Sequence, residues 1–148
     1  VNCYTCVRTG DPEGLPPREL IGGDEHWRVA HAFGSALPGW LVLLPRRHVT
    51  AIAELTDEEA AGLGHWQVRL SRALAEVTGC AKTYVAQFAE AEGFAHVHFH
   101  IVPRSPGQPA ELRGPRVFGL LGKDAAAAVG PAEMDRLAHR LRAALAGG

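Results

Sequence analysis

The strict alternation His96-Val97-His98-Phe99-His100-Ile101 restricts this chain more than any other feature. Residues two apart on a strand share a face. An extended backbone over 95–102 therefore puts three imidazoles on one side and Val97, Phe99 and Ile101 on the other. A helical period would scatter both sets. The apolar side has to be buried, so the histidine side is expected on a rigid, anchored element, which holds reacting groups better than a loop does. Pro103 is read as the end of this strand.

Other segments supply its surroundings. Residues 82–90 alternate with Tyr84, Ala86 and Phe88 on one face, and Ala91-Glu92-Gly93 reads as a short turn joining them to 95–102 in an antiparallel hairpin. Short strands are expected at 27–32 and at Trp40-Leu41-Val42-Leu43-Leu44, the second stopped by Pro45. Thr56-Asp57-Glu58-Glu59 has the form of a capping box. Leu63, Trp66, Leu70, Leu74 and Val77 follow at helical spacing, and Gly79 is a plausible stop. Pro131 suits the first turn of a last helix over 131–146, with Met134, Leu137, Leu141 and Leu145 on one face. The proline-rich residues 1–25 and the segment 105–130 are expected to be irregular or loop. The order is α+β: an antiparallel sheet packed against helices, in one domain spanning 1–148.

Composition narrows the function. The formal charge is −1 over 148 residues with 47% apolar and 21% charged side chains, which gives no basic surplus for nucleic acid. No apolar run approaches membrane-spanning length, and the N-terminus lacks the pattern of a signal peptide. An odd number of cysteines, three, fits a disulfide framework poorly and a reducing cytoplasm well.

Histidine suits attack on phosphorus. With an unperturbed pKa of about 6.5 it is largely neutral and nucleophilic near pH 7, and a covalent intermediate splits one hard displacement into two easier ones. Metal binding by a His-x-His pair is the rival use of the same residues. Cys3-Tyr4-Thr5-Cys6 has the spacing of a zinc half-site. A redox pair or two unused thiols are the other readings, and spacing alone leaves the zinc site two ligands short. Cys80 reads as a buried apolar residue. Arg46, Arg47 and Arg104 read as solvated surface charge.

The run His96-Val97-His98-Phe99-His100-Ile101-Val102 resembles the motif of the histidine triad (HIT) family. Its continuation into Pro103-Arg104 is similar to the fragile-histidine-triad and diadenosine-polyphosphate-hydrolase branch. Gly39-Trp40-Leu41-Val42-Leu43-Leu44-Pro45-Arg46-Arg47-His48-Val49 resembles the same family's strand and Pro-basic-basic-His turn. The resemblance implies a HIT-like fold and a nucleotide hydrolase or nucleotidyl transferase acting on a nucleoside phosphate derivative. His98 would be the nucleophile, with His96 and His100 as catalytic partners. It also implies a structural zinc held by Cys3, Cys6, His48 and His96, and a homodimer. Gln87 matches a phosphate-contacting glutamine or asparagine, and Glu92 and Gly93 occupy the region of a phosphate-touching Gln-Ser or Gln-Thr pair. Trp40 stands where many members have a histidine, and Ala32, beside His31, stands near a ribose-binding position. A catalytically silent nucleotide-binding module and a zinc-dependent hydrolase are the alternatives.

Overall fold

The computed structural model describes residues 3–147. Helix α1 (Tyr4–Thr9) leads through short 3-10 turns to five strands: β1 (Gly22–Gly23), β2 (Trp27–His31), β3 (Leu41–Pro45), β4 (Lys82–Ala86) and β5 (Phe99–Arg104). Helix α2 (Asp57–Thr78) lies between β3 and β4, and α3 (Pro131–Gly147) closes the chain. The strands form one antiparallel sheet in the order β1-β2-β3-β5-β4. This is the α+β fold expected from the sequence.

Local chemistry sets the long helix. Thr56 Oγ1 accepts from Glu59 N at 3.1 Å, and Glu59 Oε1 accepts from Thr56 N at 2.8 Å, so the capping box is complete. Gly79 ends the helix at φ 70°, a conformation that costs glycine least. The stripe of α2 and the face of α3 pack on one side of the sheet, where Trp27, Val29, Leu41, Leu43, Phe99 and Ile101 meet Trp66, Leu70, Leu74 and Leu141. Burying one such leucine is worth about 2 kcal/mol. The opposite side of the sheet carries a smaller cluster around Trp40, Val102 and Val117, and leaves room for a cavity. Among the described residues no helix is long and apolar enough to cross a membrane.

Several boundaries differ from the sequence reading, among them β3, which takes in Pro45. The strand expected over 95–102 pairs only from Phe99 onward and runs through Pro103 to Arg104. The register with β3 spans Leu43↔Phe99 to Leu41↔Ile101, so Pro103 lies beyond β3 and faces only β4. Upstream, the chain after Pro45 turns away, and a backbone bond from Val97 N to Val49 O at 2.8 Å holds 96–98 against it. β4 stops at Ala86, so the connection to β5 is a long loop over 87–98 and not a tight turn. The alternation survives this, with Val97, Phe99 and Ile101 all buried in the core. The N-terminal stretch read as irregular contains α1, capped by Cys3, whose sulfur accepts from Cys6 N at 3.4 Å. Within 105–130, 3-10 turns form at Ala110–Leu112 and Gly114–Leu120.

Candidate functional site

Four side chains converge where α1 meets the sheet. Cys3 and Cys6 come from α1 and its cap, His48 from the turn after β3, and His96 from the approach to β5. Cys3 Sγ lies 3.5 Å from His96 Nδ1, and Cys6 Sγ lies 3.3 Å from His48 Nδ1 and 3.6 Å from His96 Nδ1. The two Nδ1 atoms are 3.3 Å apart, and all four ligand atoms lie within 4.8 Å of one another. A tetrahedral zinc with bonds of about 2.3 Å to sulfur and about 2.0 Å to nitrogen separates its ligand atoms by roughly 3.3–3.8 Å. The donor set and the spacing both fit that ion. His96 Nε2 donates to the Pro45 carbonyl at 2.8 Å, which leaves Nδ1 as the lone-pair nitrogen facing the cluster. Burial lowers the His96 pKa, and the charge of His48 adds to this. Burial and the neighbouring Cys3 thiol raise that of Cys6.

The Pro-basic-basic-His turn is clamped. Arg47, read from the sequence as solvated charge, donates to Glu59 Oε1 at 2.8 Å and to the Glu54 carbonyl at 2.6 Å. Glu59 is buried, and the Arg47 hydrogen bond holds its carboxyl down to about 2. The residue before His48 is thereby tied to the first turn of α2.

Beside the cluster, a cavity of about 660 Å³ opens on the sheet face that carries Ala30, Ala32, Val42 and Leu44, with His96, His98 and His100 in its wall. His98 Nδ1 donates to the His96 carbonyl at 2.8 Å. His100 Nδ1 accepts from Trp40 Nε1–H at 2.9 Å. Burial, with the charge of His98, pushes the His100 pKa down to about 4. The His98 and His100 ring centroids are 4.9 Å apart. Tyr4, Phe33 and Phe94 line another part of the wall and pack on one another with centroids 5.3–5.7 Å apart. Phe118 covers His100 at 5.1 Å and Trp40 at 5.3 Å. The buried Arg28 donates to Glu19 Oε2 at 2.9 Å, so its charge is matched inside the wall.

The HIT domain description matches residues 14–107, more than half of the chain. The chain belongs to the HIT family. Among solved structures, this HIT protein is similar to a zinc-bound histidine triad family protein from Mycobacterium smegmatis, with TM-score 0.72 and 21% identity over 98% of this chain and 94% of that one. A histidine triad protein from Bradyrhizobium japonicum gives TM-score 0.68 and 29% identity over 84% and 88%. A hypothetical histidine triad nucleotide-binding protein from Sulfolobus tokodaii gives 0.72 and 16% over 98% and 93%. No curated protein matches significantly.

The fold brings together Cys3, Cys6, His48 and His96 in one cluster, and His96, His98 and His100 along one wall. It does not bring Gln87, Glu92 or Gly93 to the cavity. The wall uses their neighbours Phe88, Ala89, Glu90, Ala91 and Phe94. The cause is the early end of β4: past Ala86 the chain leaves the strand period, and Ala89 adopts φ 56°. Ala32 does line the cavity, but His31 spends both ring nitrogens on backbone, donating to Ala32 O at 2.8 Å and accepting from Gly39 N at 2.9 Å. The aromatic wall is not marked by any motif or period in the sequence. Phe33 lies two residues beyond the end of β2, and its 53% exposure is visible only in the folded chain. Phe118 lies in a segment with no periodicity to mark it.

Proposed function

We propose that this HIT protein is a hydrolase or nucleotidyl transferase that acts on a nucleoside phosphate derivative through a nucleotidyl-His98 intermediate. The observation that carries this reading is the 2.8 Å bond from His98 Nδ1 to the His96 carbonyl. With Nδ1–H committed, the neutral ring keeps its lone pair on Nε2, in a residue of the cavity wall. Nε2 forms a bond to phosphorus while the bond to the leaving group breaks, its electron pair departing with that group. The ring is then cationic, and the carbonyl facing Nδ1–H steadies it. Water attacks phosphorus next, the phosphorus–nitrogen bond breaks, its pair returns to Nε2, and a proton goes to solvent. An acceptor alcohol or phosphate in place of water gives transfer. His100 is the catalytic partner of His98, while His96, read from the sequence as a second partner, positions His98 through its backbone carbonyl.

The faces of Tyr4, Phe33 and Phe94 suit a planar base, since each base–aromatic stack is worth about 1–3 kcal/mol. Dinucleoside polyphosphates, nucleoside phosphoramidates and adenylylated small molecules are the candidate substrates. Pro103-Arg104 supports the diadenosine-polyphosphate-hydrolase branch.

Cys3, Cys6, His48 and His96 would hold a Zn²⁺ whose contribution is structural, because four protein ligands leave no position for a reacting water. Such a site ties α1 to the sheet, and it argues against a zinc-dependent hydrolysis. The chain is read as one HIT domain that works as a homodimer in the reducing cytoplasm. Sedimentation of the zinc-replete protein checks the dimer.

The test is to trap the adduct. Brief exposure to candidate substrates, acid-free quenching and peptide mass measurement should find a nucleotidyl group on His98, and the added mass identifies the base. Turnover that persists in His98→Ala sinks the proposal. Trp40, in the place of a common family histidine, favours one second reading: a silent nucleotide-binding module. Calorimetric binding with no product from any substrate would support it.

A further inference from the structure

Trp40 restricts what His100 can do. An indole nitrogen only donates, and Trp40 Nε1–H points at His100 Nδ1 from 2.9 Å. Nδ1 therefore carries no proton, and the neutral ring has its one hydrogen on Nε2. A proton arriving at Nδ1 would break the indole bond and confront its N–H. Among the described residues no charged partner rewards a cation there. Across the sheet His100 faces Val42 on β3 and Ala86 on β4, while Trp40 and Phe118 meet its ring edge to face. The titratable neighbour among the described residues is His98, another base.

The other imidazoles of the wall are equally committed. His31 uses both nitrogens on backbone. His96 gives Nε2–H to Pro45 and turns Nδ1 to the cysteines. His98 gives Nδ1–H to the His96 carbonyl. Glu19 is bound by Arg28 and Tyr4, and the remaining ionisable groups of the wall, Glu90 and Lys123, are exposed. A general acid has to surrender a proton easily, and His100 could surrender its Nε2 hydrogen only by becoming an imidazolate.

Resting on the function proposed above, we propose that Trp40 is a positioning residue that locks His100 as a neutral Nε2–H donor, and that the site thereby selects nucleoside phosphate derivatives whose leaving group departs as a stable anion over those that release an amine. In the transfer step the bond between phosphorus and the leaving group breaks with its electron pair on the leaving group. His100 Nε2–H donates a hydrogen bond to a phosphoryl oxygen and keeps its proton. A phosphate, carboxylate or nitrophenolate carries the pair unaided. An alkylamine needs a proton that no imidazole of this wall can hand over. A histidine at position 40 could exchange a proton with Nδ1, and tryptophan removes that route.

Two measurements test this on the zinc-replete full chain. The first is ¹⁵N NMR of the histidine rings, read without substrate. His100 should show a bare Nδ1 and a protonated Nε2 from pH 8 to pH 5, and in Trp40→Phe the same neutral ring should divide between its two tautomers. A protonated Nδ1 in the parent protein overturns the lock. The second compares kcat/KM for adenosine 5′-(4-nitrophenyl phosphate), its phenyl analogue and an adenosine 5′-alkylphosphoramidate, with the other three nucleosides run beside adenosine. General acid catalysis is typically worth ~100-fold or more, so the phosphoramidate should trail the nitrophenyl ester by at least ~100-fold. Trp40→His should narrow that gap tenfold or more. Equal rates in the parent protein overturn the selectivity. No turnover of any compound overturns the proposed function and the selectivity together, while the NMR result still decides the role of Trp40.

Discussion

The Nδ1 atoms of His48 and His96 lie 3.3 Å apart, although 48 positions separate them in the chain. Two neutral imidazoles gain little by presenting lone pairs to each other. The arrangement is stable when a cation sits between them and the two sulfurs. About one zinc per chain is therefore expected by elemental analysis. Cys6→Ser should lose it and destabilise the protein by at least ~2 kcal/mol in urea unfolding. Because Tyr4 sits between Cys3 and Cys6 and lines the cavity, chelation should also weaken nucleotide binding in calorimetry. Unchanged affinity would separate the metal from the substrate wall.

Glu59 serves the helix cap and the Arg47 clamp at once. Glu59→Ala should cost about 1–2 kcal/mol, the usual price of a lost cap with a modest ion pair added. Arg47→Ala should cost less in stability and still lower zinc affinity in a competition assay, since His48 follows Arg47 directly. Equal zinc affinity in that variant would show that the turn needs no clamp.

His100 makes folding sensitive to acid. Its pKa falls from 6.5 to about 4 on folding, mainly through burial. Between those values the unfolded chain binds a proton that the folded chain refuses, so stability is complete above about pH 6.5 and declines as pH falls toward about 4. The full window is worth at most about 3 kcal/mol. His31, lowered by burial, acts in the same direction. Urea midpoints measured from pH 7 to pH 4.5 should fall, and His100→Gln should fall less steeply.

Phe33 is more than half exposed, yet it packs against Tyr4 and Phe94 in the cavity wall. Phe33→Ala should leave the unfolding midpoint nearly unchanged. Loss of one stacking face should weaken binding of a nucleoside monophosphate roughly 5- to 140-fold. A large stability loss with intact binding would make Phe33 a packing residue instead.

The amino-acid sequence by itself determined the elements whose causes are local. Thr56 and Glu59 are three residues apart, so the capping box and the start of α2 were readable, as were Gly79 at its end and the stripe from Leu63 to Val77. The alternation from His96 to Ile101 likewise assigned inner and outer faces, and Val97, Phe99 and Ile101 are buried as it requires. The cysteine spacing offered half a metal site, and only a family resemblance suggested His48 and His96 as the other half.

Tertiary structure alone decided which residues meet across long stretches of chain. Whether 95–98 pairs as strand depended on where β3 turned away at Pro45, and whether Gln87, Glu92 and Gly93 reached the cavity depended on where β4 ended. Arg47 finding Glu59, Phe118 covering His100 and Trp40 donating to His100 Nδ1 follow from packing, which no local period encodes. For the histidine run, the backbone period dictated that three imidazoles share a face. The partners brought to each ring by the fold, a carbonyl, an indole and a pair of thiols, dictated which nitrogen of each is left to act.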